Sequence, residues 1–209
     1  MTLLAGKDPD SLHSTLSLAG FRRSQDLAYR PACDNCTACI PIRVVASKFE
    51  LKKSFRRIWT KNKNIHAREI SATATDEHFN LFHRYLESRH SDGGMSDMAF
   101  PDYQAMIEDS PVRTQLIEFR DDSGHLYAVC LTDRMDDGLS LVYSFFDPDM
   151  EKRSLGSYLV LWHILQVQNI GLPYVYLGYW IAESPKMSYK TRFEPAEILT
   201  KDGWTPCEH

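Results

Sequence analysis

Residues 112–181 leave the chain few ways to fold. Three runs of alternating apolar and polar residues come first: Val112–Phe119, Leu126–Met135 and Leu139–Phe146. The joints between them are Asp121-Asp122-Ser123-Gly124 and Asp136-Asp137-Gly138, residue types that favour tight reversals. Alternation broken by such joints predicts an antiparallel meander. A strongly apolar stretch, Leu155–Ile170, follows and is closed by Gly171. A helix apolar on most of its surface has to be covered by the rest of the domain. Tyr174–Ile181, YVYLGYWI, then reads as a further strand.

The remaining elements fit around that core. Asp10–Ala19 carries Leu12, Leu16 and Ala19 at helical spacing, with Asp10 as N-cap and Gly20 as the stop. Phe21–Tyr29 reads as one strand, and Cys39–Val45 as another with an Ile40, Ile42, Val44 face. Ser54–Lys61 is a helix whose Phe55, Ile58 and Trp59 share one side. Ile65–Ile70 is a strand. Asp76–Arg89 is a helix with a Phe79, Phe82, Leu86 stripe, ending in the loop His90–Met95. Pro101 opens a short helix through Glu108. Pro185–Lys190 forms a turn of helix before a last segment, Glu197–Thr200. Meander, buried helix, strand, short helix, strand is the order of an N-acetyltransferase-type acyltransferase, an α+β fold. No Gly/Ser/Pro-rich linker divides the chain. A boundary near residues 64–75 would separate an N-terminal Cys/basic recognition part, 1–70, from the acyltransferase-like part, 71–209.

Composition excludes several classes. Hydrophobic residues make up 43% and charged residues 25% of the chain, as in ordinary globular proteins. The longest apolar run, Ser157–Ile164, contains His163 and falls far short of the ~20 residues of a membrane helix. Met1–Ala5 is too short for a signal sequence. The chain is therefore expected in the cytoplasm, with no membrane partner. A net charge of −4 argues against indiscriminate nucleic-acid binding, and no DNA partner is expected, but a local basic patch is compatible with it.

Such a patch exists. Lys52, Lys53, Arg56, Arg57, Lys61 and Lys63 cover the solvent side of the Ser54–Lys61 helix, and no acidic residue follows Glu50 within the run. A basic stripe on an acidic chain suits a phosphate-bearing partner such as tRNA, although a merely solvated face has the same pattern. Just upstream, Cys33, Cys36 and Cys39 have the spacing of thiolates converging on one ion. Zinc and iron–sulfur sites take four ligands, and only three are local, so metal binding and reduced thiols both remain open. Arg153-x-x-Gly156 loosely fits a pyrophosphate-holding turn at a helix start, or is simply a helix start. Lys186, Tyr189 and Lys190 fall at i, i+3, i+4, so their polar ends share one face.

YRPACDNCTAC, SFRRIWTKN, SDGGM and YLGYWIAESPKMSYKTRFEPAEIL, in that order, resemble the arginyl-tRNA–protein transferase family. The CDNCTAC form resembles its bacterial branch, which uses leucyl-tRNA to extend proteins that begin with Asp or Glu. The likeness spans Gly20–Leu199. It implies an N-acetyltransferase-like fold in which aminoacyl-tRNA replaces acyl-CoA. The implied reaction is acyl transfer from the tRNA ester to an N-terminal α-amine, which marks the acceptor for N-degron proteolysis. For the implied reaction Tyr179 or Tyr189 is the expected proton donor, with Lys186 beside them at the reacting centre. Arg22, Arg30, Arg43, Lys186 and Lys190 are the cations for an acidic acceptor, and Gly156 faces the donor. Leucine is the expected donor amino acid, with arginine, a CoA-dependent acetyltransferase and a non-catalytic tRNA or peptide-binding module as alternatives. The family also carries an upstream Cys-x-Tyr-Leu segment, whereas this chain starts Met1-Thr2-Leu3-Leu4. The expectation is therefore an incomplete metal or iron–sulfur site at Cys33, Cys36 and Cys39, and no required cofactor.

Overall fold

The computed structural model describes residues 1–89, 95 and 97–208. The loop expected at His90–Met95, and with it most of the SDGGM motif, lies outside the described residues apart from Met95.

β1 (Thr2–Leu3) and α1 (Pro9–Leu18) come first, followed by β2 (Arg22–Ser24) and β3 (Leu27–Tyr29). Asp8, rather than Asp10, caps α1 by accepting from the Ser11 N–H. Gly20, at φ 82°, ends it: Phe21 N–H reaches back to the Leu16 carbonyl at 2.9 Å, the backbone closure that a left-handed residue after a helix permits. The single strand expected over Phe21–Tyr29 is a hairpin, because Gln25 takes φ 54° and reverses the chain. These strands form a small sheet in the order β1-β3-β2.

Among the described residues the main sheet has eight strands. β4 (Ile40–Val45), α2 (Lys53–Lys61), β5 (His66–Ser71), α3 (Asp76–Arg89) and α4 (Phe100–Glu108) lead into the meander β6 (Thr114–Arg120), β7 (Leu126–Met135) and β8 (Gly138–Phe146). Helix α5 (Leu155–Asn169), β9 (Tyr174–Trp180), β10 (Ala196–Thr200) and β11 (Gly203–Pro206) complete it. The order is β11-β10-β4-β9-β8-β7-β6-β5. Neighbours are antiparallel except β8 and β9, which run parallel because α5 carries the chain back to the starting end before β9 begins. β4 lies between β9 and β10, and β5 pairs with β6, so one sheet runs through both residues 1–70 and residues 71–209.

Helices cover both faces. Leu116, Val129, Leu131 and Phe145 point to α3 and α4, where they meet Phe82, Leu86, Tyr103 and Ile107. Their strand neighbours Ile117, Phe119, Ala128 and Cys130 point the other way, to Leu155, Tyr158 and Leu159 of α5. The alternation of a strand thus feeds two cores, which is why eight consecutive residues of β7 are buried. α5 is enclosed as its composition predicts. Its His163 is fully buried, bonded to Thr132 Oγ1 at 2.9 Å and the Leu159 carbonyl at 2.8 Å. The architecture is α+β and N-acetyltransferase-like, with a parallel strand pair next to a buried crossover helix.

Candidate functional site

β8 and β9 pair only at Gly138–Tyr174, Leu139–Val175 and Ser140–Tyr176. Beyond Ser140 they part, and each is kinked where they do. On β8, Leu131 faces Tyr143 and Thr132 faces Leu141, so Val142 is an extra residue opposite β7. On β9, the register with β4 shifts between Pro41 and Arg43, and Gly178 has φ 76°. A parted pair leaves backbone N–H and C=O groups without ladder partners.

Two cations fill the gap and take the carbonyls. Arg22, from β2 of the small sheet, donates through Nη2 to the Leu141 and Val142 carbonyls at 2.9 and 2.8 Å and through Nη1 to Leu177 at 3.4 Å. Lys190 Nζ donates to the Leu177 and Tyr179 carbonyls at 2.8 and 2.5 Å. With these acceptors covered, the gap presents positive charge. Lys190 is 9% exposed. Its burial, helped by the Arg22 charge, lowers its amine to about 7.

Above these strands opens a cleft of about 770 Å³. The first turn of α5, with Gly156 and Ser157, closes one side; Tyr85 and Arg89 of α3 close another; Lys186, Met187 and Tyr189 form the rim. Gly156 lies close to the wall, since a Cβ there would meet Phe146 Cε1 at 3.2 Å. Lys186 is exposed and bonds the Arg89 carbonyl at 3.4 Å. Tyr189 is 36% exposed, and the surrounding walls raise its hydroxyl to about 12. Arg22, Gly156, Lys186, Tyr189 and Lys190, scattered in the sequence, therefore meet in one cleft.

The basic helix stands beside it. Phe55 is buried and stacks on Phe193 at 4.9 Å, which turns the charged side outward. Lys53, Arg56, Arg57 and Lys61 line an open depression of about 580 Å³ that ends at Ser154. Ser154, which starts α5 in a left-handed conformation at φ 54°, also lines the cleft. The basic surface thus runs directly into the cleft. Lys52 lies outside it and pairs with Glu194, and Lys63 is exposed beyond the helix end. Lys61 also donates to the Lys152 carbonyl.

Several of the expected site residues lie outside the cleft lining. Tyr179 points away from the cleft: its hydroxyl is shared between the Gly20 and Tyr29 carbonyls at 2.9 and 3.1 Å, tying β9 to the small sheet. Its burial raises the hydroxyl to about 12. Arg43 is buried, bonded to Glu197 at 2.7 Å and to Tyr176 Oη at 3.0 Å, lies 3.5 Å from the Tyr174 ring centre, and is not among the residues that line the cleft. Arg30 is exposed, and its one hydrogen bond among the described residues is to the Ala19 carbonyl at 3.4 Å. Arg153 turns from the cleft to Asn64 Oδ1 at 3.0 Å, which removes the pyrophosphate-holding side chain from the Arg153–Gly156 turn. Cys33, Cys36 and Cys39 are free thiols, the first two exposed. Among the described residues no group of three or more His, Cys, Asp or Glu side chains is placed to hold a metal ion.

Arg89, Glu151 and the open edge Leu141–Ser144 also line the cleft, and no motif or spacing in the sequence marks them. The one local signal is Gly178 inside a strand of bulky residues, which indicates a bulge or a close approach.

The chain matches the N-terminal model of arginine-tRNA-protein transferase over residues 2–57 and the C-terminal model over residues 77–200. It is 56% identical over 204 residues to aspartate/glutamate leucyltransferase of Paramagnetospirillum magneticum, covering 98% of this chain and 84% of that protein. It is 51% identical over 206 residues to the enzyme of the same name from Granulibacter bethesdensis, covering 99% of this chain and 77% of that one. The solved structure of L-PGS from Bacillus licheniformis shares the fold, with a TM-score of 0.53 at 11% identity over 71% of this chain and 47% of that one. The two family models match the chain over residues 2–57 and 77–200, and the chain belongs to the arginine-tRNA–protein transferase family.

Proposed function

We propose that this protein transfers leucine from leucyl-tRNA to the α-amine of proteins beginning with Asp or Glu. The observation that carries the reading is the parted β8–β9 edge, whose carbonyls are held by Arg22 and Lys190. The aminoacyl ester is already activated, and an α-amine with a pKa of about 8 is partly free base at neutral pH. The protein has to align the two and stabilise the charge that develops.

In this reading the amine nitrogen attacks the ester carbonyl and a C–N bond forms. The carbonyl oxygen becomes an oxyanion, stabilised by backbone N–H groups of β8 beyond Ser140, where pairing with β9 ends, and by the charges of Arg22 and Lys190. The C–O bond to the terminal ribose then breaks, and the ribose oxygen takes up the proton that the amine gives away. Tyr189, on the rim, relays that proton. Gly156 lets the donor approach the start of α5. Lys53, Arg56, Arg57 and Lys61 bind phosphates of the tRNA acceptor end, which enters the cleft past Ser154. The names of the relatives supply the acidic acceptor and the leucyl group. The added leucine would mark the acceptor for N-degron proteolysis. A cytoplasmic site of action suits this chemistry, and among the described residues no helix is long and apolar enough to cross a membrane.

The test offers purified protein labelled leucyl-tRNA, arginyl-tRNA and acetyl-CoA in parallel, with peptides beginning Asp, Glu, Arg or Ala. Label should pass from leucyl-tRNA to the Asp and Glu peptides. Transfer from acetyl-CoA alone would overturn the proposal, and transfer from arginyl-tRNA would reassign the donor.

A further inference from the structure

The cations around the cleft differ in how much hydrogen-bonding capacity they have left. Arg22 already makes three hydrogen bonds to strand carbonyls and Lys190 makes two. Arg84, one turn and a half before the end of α3, is held firmly to Asp147 at 2.8 Å and Asp149 at 2.6 Å. Among the described residues Arg89, the last of α3, has only a loose ion pairing, 4.0 Å to Glu151. Its guanidinium lies 5.8 Å from the Phe146 ring centre, an arrangement that aims the group without using its N–H donors. Glu151 is the one carboxylate among the described residues that line the cleft. Lys186 stands on the same rim and touches the Arg89 carbonyl.

We infer that Arg89 reads the acidic side chain of the acceptor, and that Glu151 occupies Arg89 until the acceptor arrives. The inference rests on the acidic-acceptor reading above and adds the group that performs it. A guanidinium matches a carboxylate with two parallel donors, whereas Glu151 at 4.0 Å makes no such fork. An incoming Asp or Glu side chain therefore forms hydrogen bonds that Glu151 does not make. An Asn or Gln side chain carries no charge with which to displace Glu151. Arg89 is a specificity-determining residue here and takes no part in the bond changes.

Two measurements on the full chain test it. In the first, fluorescence anisotropy follows binding of two peptides that differ only in an Asp or Asn first residue, without tRNA. In the second, leucyl transfer gives separate KM values for peptide and for leucyl-tRNA. Wild-type protein should bind the Asp peptide about tenfold or more tightly than the Asn peptide, the scale of a charge-assisted pair. Arg89→Met keeps the stem on Phe146 and should erase that preference, raising peptide KM and leaving leucyl-tRNA KM within about twofold. Arg89→Lys should restore part of it, because the charge returns without the fork. Glu151→Gln should tighten the Asp peptide by about two- to fivefold, as removal of a competing exposed ion pair would. An intact Asp-over-Asn preference in Arg89→Met overturns the assignment, and so does a leucyl-tRNA KM that rises in step with the peptide KM. Unchanged affinity in Glu151→Gln removes its half of the inference. Arg89-dependent binding without leucyl transfer from wild-type protein would leave the inference standing and sink the leucyltransferase reading instead.

Discussion

Arg22 and Gly178 share one space: a Cβ on Gly178 would lie 1.2 Å from Arg22 Nη1. The missing side chain on β9 is what lets a guanidinium from the small sheet enter the gap and reach the Leu141, Val142 and Leu177 carbonyls. The small sheet and the main sheet are joined through this pair.

Gly178→Ala should therefore expel the guanidinium. The left-handed backbone at φ 76° adds ~1–2 kcal/mol of its own, and each unpaired carbonyl about 1–3 kcal/mol. Leucyl transfer should fall about tenfold or more. Arg22→Ala alone also uncovers the carbonyls, so the double variant should be scarcely less stable than Gly178→Ala. Urea unfolding of the two single variants and the double variant measures this, and strictly additive losses would show that the two residues do not act together.

Lys190 sets a pH dependence. Its folded-state pKa of about 7 lies below its ordinary value of 10.5, so between those values the unfolded chain binds more protons than the folded one. Stability then rises with pH from about 7 upward, by at most ~1.4 kcal/mol per pH unit for one proton. Below pH 7 the full cost of burying the charge remains. Denaturant unfolding of wild-type and Lys190→Met protein at pH 6, 7, 8 and 9 isolates this group. The difference between them should change most above pH 7, and a difference independent of pH would show that Lys190 keeps its charge.

Local pattern carries much of the architecture. The meander turns, the apolar helix and the Phe55 face of α2 are set by neighbours in sequence, and they lie where the pattern puts them. The parting of β8 and β9 is not local: it depends on an extra residue at Val142, on Gly178 and on Arg22, which lies 155 positions from Leu177. Nothing in either strand announces the third partner. Strand direction explains which expected residues lie outside the cleft. Tyr179 and Arg43 are polar groups on strands beside the cleft, but their side chains leave the opposite way and are consumed by Gly20, Tyr29 and Glu197. In the same manner Tyr189 and Lys190 are adjacent, yet one forms the rim and the other is pinned under the floor. The cysteine spacing suggests a metal because spacing says nothing about where exposed thiols turn.

The basic helix should act through charge alone. Arg56→Ala with Arg57→Ala removes two cations from the depression beside Ser154 and should weaken tRNA binding. The slope of log affinity against log salt should fall by about 0.7–0.9 for each phosphate that is no longer neutralised. Lys52→Ala, whose charge is already paired with Glu194, should change that slope less. Filter binding of leucyl-tRNA from about 50 to 200 mM salt gives both slopes. Equal slopes in wild type and the double variant would take the tRNA off this helix.

Tyr179 and Tyr189 can be separated by removing one oxygen from each. The Tyr179 hydroxyl is a buried strut between two backbone carbonyls, so Tyr179→Phe should cost roughly 1 kcal/mol or somewhat more in stability and leave kcat for leucyl transfer within about twofold. Tyr189 faces the cleft, is partly exposed and has a hydroxyl without a hydrogen-bond partner among the described residues. Tyr189→Phe should leave unfolding unchanged and lower kcat by about 10²-fold, the low end of what a positioned proton-transfer group contributes. Peptide KM should stay near the wild-type value, because the hydroxyl acts on the leaving ribose oxygen and not on the acceptor. A kcat that falls in Tyr179→Phe and holds in Tyr189→Phe would reverse the two roles. That outcome would mean the β9 hydroxyl leaves Gly20 and Tyr29 when substrate binds.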